Sequence, residues 1–215
     1  AAARVCRAVL SATASASAAS AGAAAELDCL LDVALGIDEF RLLPALRAAP
    51  LSLLRRYDRE HTHLLQPHAA SYTPYAELLG VLALVPRGGT LVDLGAGSGR
   101  LIVTAALSRP DVRAIGLETV RARVALARHA LRRVGARSSR GGPPRPCVVV
   151  RTLGRSRLPL PRGDVFFLFN PLAPPALAST WQDLRLLAGA GKRFVLVMKV
   201  RSRRTPHRAS SPRRS

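Results

Sequence analysis

The residues best suited to chemistry lie in one short run, residues 90–100, which reads Thr-Leu-Val-Asp-Leu-Gly-Ala-Gly-Ser-Gly-Arg. Leu91 and Val92 are apolar and predict a buried strand, and residues 101–107 predict a helix. The glycines between them predict a tight turn, because residues without a Cβ adopt such turns most easily. Strand, turn and helix in this order bring backbone N–H groups and a helix N-terminus together. That point suits a ligand whose polar atoms approach the backbone closely.

A carboxylate is predicted to stand beside this turn. Residues 112–118 predict a second strand, and its last residue is Glu118, about two dozen residues after Asp93. The carboxyl ends of parallel strands share one edge of a sheet, where ligands bind in open α/β folds. An acid at such a strand end can accept hydrogen bonds from both hydroxyls of a ribose. The spacing therefore predicts a nucleoside site between Glu118 and the glycines.

A third strand end carries an amide. Residues 164–172 form the most apolar stretch of the chain, which predicts a strand buried on both faces and ending at Asn170-Pro171. The amide oxygen of Asn170 could orient an amine nucleophile at the same sheet edge. The structural alternative is that Asn170 caps the helix that follows.

The run from residue 92 to residue 100 resembles the first motif of the class I S-adenosylmethionine (SAM)-dependent methyltransferases. The dinucleotide fingerprint Gly-x-Gly-x-x-Gly does not fit, because Arg100 stands where its last glycine would be. The resemblance implies SAM as cofactor and gives its binding residues as Asp93, Gly95, Ala96, Gly97, Ser98, Gly99 and Glu118. In several of these enzymes a tyrosine before the preceding helix reaches the cofactor, which implies that role for Tyr72 or Tyr75. The alternative for either tyrosine is packing at the helix start.

The Asn170-Pro171 pair resembles the fourth-strand end of amino-group methyltransferases, although Leu172 departs from their pattern. This resemblance implies Asn170 as the catalytic residue and an amine as methyl acceptor. The order of the Tyr72 segment, the glycine loop and the Asn-Pro strand end is similar to that of the seven-strand protein-lysine methyltransferases. Protein N-methylation is therefore the expected activity.

Strand and helix alternate five times, which predicts an α/β fold with a doubly wound, mainly parallel sheet and helices on both faces. The resemblance implies the Rossmann-like methyltransferase fold, whose last part we expect to be missing from this chain. It also implies an adenine-binding acid after the third strand, which residues 151–154 lack. The chain is predicted to begin with a low-complexity or transit segment outside the fold (residues 1–25) and a helical preface (26–69). The SAM-binding domain (70–200) and a disordered basic tail (201–215) are predicted to follow.

The preface is predicted to hold helices at residues 26–36, 38–49 and 52–65. The first of these should place its apolar face on the core, with Leu27, Leu30, Leu31, Ala34 and Leu35. A further helix should follow, with Thr73 as N-cap and Pro74 as its first residue.

The net charge of +20 is confined to the second half of the chain, because acids and bases balance up to Glu118. Only Asp164 and Asp183 are acidic after that point. Such a surface favours nucleic acid or another polyanion as partner. Since the excess is almost all arginine, with lysine only at Lys192 and Lys199, coding bias is the alternative. A non-catalytic or vestigial RNA-binding module and a nicotinamide-dependent oxidoreductase are the alternative functions.

The remaining composition points to no metal, disulfide or membrane span. The three cysteines are scattered, and His61 and His63 lack the spacing of a metalloprotease motif. No apolar run is long enough to cross a membrane. We expect an intracellular protein, cytoplasmic or organellar, depending on whether residues 1–25 are a transit segment.

Overall fold

The computed structural model describes residues 2–15, 21–37, 73–136, 146–154, 159–169 and 174–199. The helices in these ranges are α1 (Ala2–Ser15), α2 (Ala21–Leu35), α3 (Tyr75–Ala83), α4 (Arg100–Ser108), α5 (Arg121–Arg133) and α6 (Pro174–Gly189). The strands are β1 (Thr90–Leu94), β2 (Arg113–Glu118), β3 (Cys147–Val150), β4 (Val165–Phe169) and β5 (Val195–Lys199). The predicted helices at 38–49 and 52–65 and the basic tail at 201–215 lie outside the described residues.

The five strands form one parallel sheet in the order β3-β2-β1-β4-β5. The chain crosses over between β3 and β4, so the strand order reverses beside β1. This is the order of the first five strands of the doubly wound Rossmann sheet, and it places the switch point between β1 and β4. The predicted doubly wound parallel sheet is therefore confirmed.

Alternate residues of the central strands β1 and β4 enter different cores. Leu91 and Phe167 join one cluster, which helices α1 to α5 cover. Val92 and Phe166 join the other, which is completed by Leu184 of α6. Because both of its faces are buried, β4 is apolar throughout, as predicted for residues 164–172. Helices thus cover both faces of the sheet.

Residues 1–25 were predicted to lie outside the fold, and for helix α1 this prediction is wrong. Helix α1 packs against α2, α3 and α4. Cys6 and Leu10 are one helical turn apart and are both fully buried in the larger core. Ala3 and Val9 are partly buried beside them, and the Ala- and Ser-rich composition of the segment hid this short apolar stripe.

Two details of the helical segments differ from expectation. Leu30 of α2 is exposed, whereas Leu31 and Leu35 are buried, so the core-facing stripe is narrower than predicted. Helix α3 begins at Tyr75 with Pro74 as N-cap, and the Thr73 hydroxyl makes no cap. The Tyr75 N–H instead donates to both carboxylate oxygens of Asp28, each 3.3 Å away. A carboxylate from another helix therefore replaces the local cap.

Candidate functional site

The glycine turn lies at the carboxyl end of β1, beside the switch point. Gly95, Gly97 and Gly99 have φ values of 105°, 55° and 86°, which are in the region that favours glycine. The Gly95 and Ala96 N–H groups both donate to the Leu117 carbonyl, at 3.0 and 2.9 Å. The turn is thus fastened to the end of β2, as the predicted strand-turn-helix unit requires.

The three glycines have different surroundings. A Cβ on Gly95 or Gly97 would meet no atom within 4 Å, so these two glycines border open space. A Cβ on Gly99 would lie 2.6 Å from the Cβ of Ala127, because α4 and α5 approach closely there. Gly95 and Gly97 therefore form the floor of a candidate ligand site, whereas Gly99 permits helix packing.

The other turn residues named as cofactor contacts lie deeper. Ala96 is buried in the larger core and Ser98 is 2% exposed. Ala96 also faces Gly116, where an added Cβ would lie 2.7 Å from the Ala96 Cβ. Among the turn residues, it is Gly95 and Gly97 that the structure leaves open to a ligand.

Glu118 lies against the turn, as its position at the end of β2 predicted. Its Oε2 accepts a hydrogen bond from the Gly97 N–H at 2.8 Å, and its Oε1 accepts one from the Val120 N–H at 2.7 Å. The side chain is 7% exposed. A carboxylate has about four acceptor positions, so two remain for hydroxyl donors. The carboxylate is therefore held at the border of the open space.

Asp93 lies on the same side of the sheet as Glu118 and is 4% exposed. Burial, and after it the negative charge of Glu118, raises the pKa of Asp93 from 3.8 to about 8. Asp93 is therefore mainly neutral at pH 7. The site thus holds two carboxyl groups, Asp93 and Glu118, on one side of the sheet.

A buried ion pair fixes the helix that follows the turn. Arg100, the first residue of α4, donates to Asp32 of α2 through Nε at 2.8 Å and through Nη2. Its Nη1 donates to the Thr73 carbonyl at 3.1 Å. The guanidinium also lies 4.7 Å from the ring centroid of Tyr75. The pair thereby joins α2, the start of α3 and the end of the glycine turn.

The tyrosine of this network is not open to a ligand. Tyr75 is fully buried, and its hydroxyl donates to Asp32 Oδ1 at 2.8 Å. Burial, followed by the charge of Asp32, raises the pKa of Tyr75 well above its ordinary value, so the hydroxyl stays protonated. The structure thus contradicts the hypothesis that Tyr75 reaches the cofactor. Tyr72 lies outside the described residues, and its role remains a prediction.

Sequence reasoning missed this network. Asp32 and Arg100 are 68 residues apart, and each is ordinary in its own segment. The available signal was the arginine directly after the last glycine, at the first position of a helix. A cation at that end opposes the helix dipole and needs a compensating anion.

A cavity lies at the carboxyl ends of β4 and β5, beside α3. Its volume is about 560 Å³, and its lining includes Thr73, Glu77, Phe167 and Lys199. Lys199 Nζ pairs with the Glu77 carboxylate and lies 5.3 Å from the ring centroid of Phe169. Asn170 follows Phe169 but is outside the described residues, as is Pro171. The catalytic role predicted for Asn170 therefore stays a prediction.

In the ranges that the structure describes, no group of histidine, cysteine and acidic residues is arranged to hold a metal ion. The three cysteines are all described, and none forms a disulfide. Within the same ranges, no helix has the length and apolarity needed to cross a membrane.

No protein-family model matches the chain, and no curated protein sequence matches it either. Several solved structures do. Precorrin-6y C5,15-methyltransferase from Geobacter metallireducens is 16% identical, with 65% of this chain and 69% of that chain covered and a TM-score of 0.46. An RNA methyltransferase from Salinibacter ruber, in complex with S-adenosyl-L-homocysteine, is 23% identical, with coverages of 59% and 71% and a TM-score of 0.40.

A TehB-like SAM-dependent methyltransferase from Corynebacterium glutamicum is 21% identical, with 46% of each chain covered and a TM-score of 0.34. The chain spans only 35% of the YcgJ protein from Bacillus subtilis. The matched structures thus include SAM-dependent methyltransferases, the class that residues 92–100 resemble. The fold assignment itself rests on this chain's own strand order and register.

Proposed function

We propose that this chain is a SAM-dependent methyltransferase. The observation that carries the proposal is the carboxylate of Glu118, held 2.8 Å from the Gly97 N–H beside two glycines that border open space. The free acceptor positions of Glu118 suit the two hydroxyls of a ribose. The methionine part of SAM would then lie over Gly95 and Gly97.

The hydrogen bonds that the N–H groups of the turn already make argue against a dinucleotide as ligand. The N–H groups of Gly95, Ala96 and Gly99 donate to backbone carbonyls, and that of Gly97 donates to Glu118. A pyrophosphate needs free N–H donors and a positive field, whereas the carboxylate supplies a negative one. SAM carries no phosphate and has a cationic sulfonium. The nicotinamide-dependent alternative is therefore the weaker one.

The protein's part in the reaction is small, because the sulfonium makes the methyl carbon electrophilic and supplies the hard chemistry. What the chain must do is fix the nucleoside and align the acceptor with the methyl group. Glu118 fixes the nucleoside end, and the Arg100–Asp32 pair fixes the helix behind the turn.

Replacing Glu118 with Gln should weaken S-adenosylhomocysteine binding about ten- to a hundredfold. This is the loss expected for a charge-assisted hydrogen bond, roughly 1.5–3 kcal/mol. Calorimetry on wild type and variant measures it. The same measurement is repeated with the 2′,3′-dideoxy form of S-adenosylhomocysteine, which lacks both ribose hydroxyls. Wild type and Glu118→Gln should bind this ligand equally.

The matched control is Glu26→Gln, the same substitution at an exposed position of α2. It should leave both affinities unchanged. If Glu118→Gln weakens the dideoxy ligand as much as the natural one, the carboxylate only braces the turn. If NAD⁺ binds and S-adenosylhomocysteine does not, the proposed function is wrong.

The proposed acceptor is an amine, with a protein amine favoured. One support is the Asn170-Pro171 pattern. The other is the neighbouring Lys199, whose ammonium group lies over the Phe169 ring and pairs with the Glu77 carboxylate. An aromatic face and a carboxylate are the groups that hold a cationic amine. An amide oxygen at Asn170 would accept a hydrogen bond from the attacking nitrogen's N–H and orient its lone pair.

Asn170→Ala should lower methyl-transfer turnover about tenfold, the effect of roughly 1.4 kcal/mol of transition-state stabilisation. S-adenosylhomocysteine affinity should not change. Single-turnover rates with a labelled methyl group and lysine-rich peptides measure the first quantity, and calorimetry the second. A lower melting temperature with unchanged turnover per folded molecule would assign Asn170 to helix capping instead.

A further inference from the structure

Helix α5 has an exposed row of arginines that the proposed methyl transfer does not use. Arg121, Arg128 and Arg132 are all exposed and are spaced at i, i+7 and i+11, which places them on one line along the helix. At 1.5 Å per residue the Cα positions are about 10 Å and 6 Å apart along the axis. Arg133 and His129 flank the row on the exposed surface.

The row carries uncompensated charge. Helix α5 contains no acidic residue, and in the part of the chain that the structure describes no carboxylate forms an ion pair with Arg121, Arg128 or Arg132. Arg128 makes one structural contact, from Nε to the Val148 carbonyl at 3.0 Å, which leaves its terminal nitrogens available. The row is therefore a linear positive surface.

Helix stability does not explain the row. Arg132 and Arg133 suit the negative end of the helix dipole, but Arg121 is the first residue of α5 and opposes the positive end. Within the described ranges Arg121 has no carboxylate partner that would offset this cost. The positive charge of Arg121 is therefore explained by binding at the protein surface and not by stabilisation of the helix.

We infer that the row formed by Arg121, Arg128 and Arg132 binds the phosphate backbone of single-stranded RNA. Three guanidinium groups in line match a flexible strand of phosphates, and each would neutralise one phosphate. The apolar face of α5, with Val124, Ala127 and Leu131, is buried in the core and cannot insert into lipid. The exposed face of α5 carries no phenylalanine, tyrosine or tryptophan on which a base could stack, and its one ring, His129, lies beside the row. We therefore expect binding to depend little on RNA sequence.

The test uses the full chain, a labelled 20-nucleotide RNA of mixed sequence and fluorescence anisotropy over a range of KCl concentrations. The variant Arg121→Gln/Arg128→Gln/Arg132→Gln should reduce the slope of log K against log salt by about 2, since each phosphate contact contributes about 0.7. At 0.1 M salt this corresponds to about 100-fold weaker binding. The matched control, Arg162→Gln/Arg185→Gln/Arg193→Gln, removes the same charge from exposed positions elsewhere and should change the slope by less than 1.

A second variant, Arg121→Glu, excludes a loss through misfolding, because an acid at this position favours the helix. It should fold at least as well as wild type and still bind RNA more weakly. Equal losses from the two triple variants would overturn the inference, because net charge alone would then explain binding. It would also be overturned if wild type binds no RNA at low salt, or binds phosphatidylserine vesicles or polyglutamate better than RNA through the same row.

Discussion

Replacing Arg100 with Met should lower the free energy of unfolding by about 3–5 kcal/mol, the usual cost of removing one partner of a buried ion pair. Asp32 is 8% exposed and would lose the positive charge and the hydrogen bonds that the Arg100 guanidinium supplies. Urea unfolding followed by the fluorescence of Trp181, the single tryptophan, measures the loss. The exposed control Arg87→Met should change stability by no more than about 0.5 kcal/mol.

The double variant Arg100→Met/Asp32→Leu should recover much of that loss, because it removes both charges from the interior. A loss below about 1 kcal/mol in Arg100→Met would contradict the arrangement, since α2 would then not pack on the start of α4. S-adenosylhomocysteine affinity of the double variant tests whether the pair also positions the turn. If it does, affinity falls although stability has returned.

Replacing Asp93 with Asn should stabilise the protein by a few kcal/mol near pH 8 and by little near pH 4. The folded-state pKa of Asp93 is about 8, raised from 3.8 by burial and then by Glu118. Between these two pH values the folded state holds a proton that the unfolded state has lost. The contribution of Asp93 to stability is therefore fully present below pH 3.8 and is lost as the pH rises through about 8. Asparagine has no such dependence.

Urea unfolding of wild type and Asp93→Asn from pH 4 to pH 9 measures the difference, which should grow with pH. Asp111→Asn is the control, because the Arg109 guanidinium lowers the pKa of Asp111 below its ordinary value of 3.8. The stabilising effect of the Asp111 carboxylate is lost only below pH 3.8, so the difference between wild type and Asp111→Asn should stay constant from pH 4 to pH 9. Parallel profiles for wild type and Asp93→Asn would mean that Asp93 is ionised in the folded protein at neutral pH.

The sequence by itself determined the elements whose signals are local. The glycines at 95, 97 and 99 predicted the turn, because a positive φ is a property of the single residue. The apolar runs predicted strands buried on both faces, and the end of β2 predicted that Glu118 would reach the turn. A parallel sheet brings strand ends to one edge whatever the details of packing. These features follow from residue type and spacing within about 30 residues.

Only the tertiary structure decided which of these residues are open to a ligand. Gly97 and Gly99 look alike in the sequence, yet one borders open space and the other meets Ala127 of α5. The ion pair of Asp32 with Arg100 and the docking of α1 through Cys6 were likewise not predicted. Each depends on how close two distant segments come, which is set by the packing of whole helices and leaves no periodic signal in either segment.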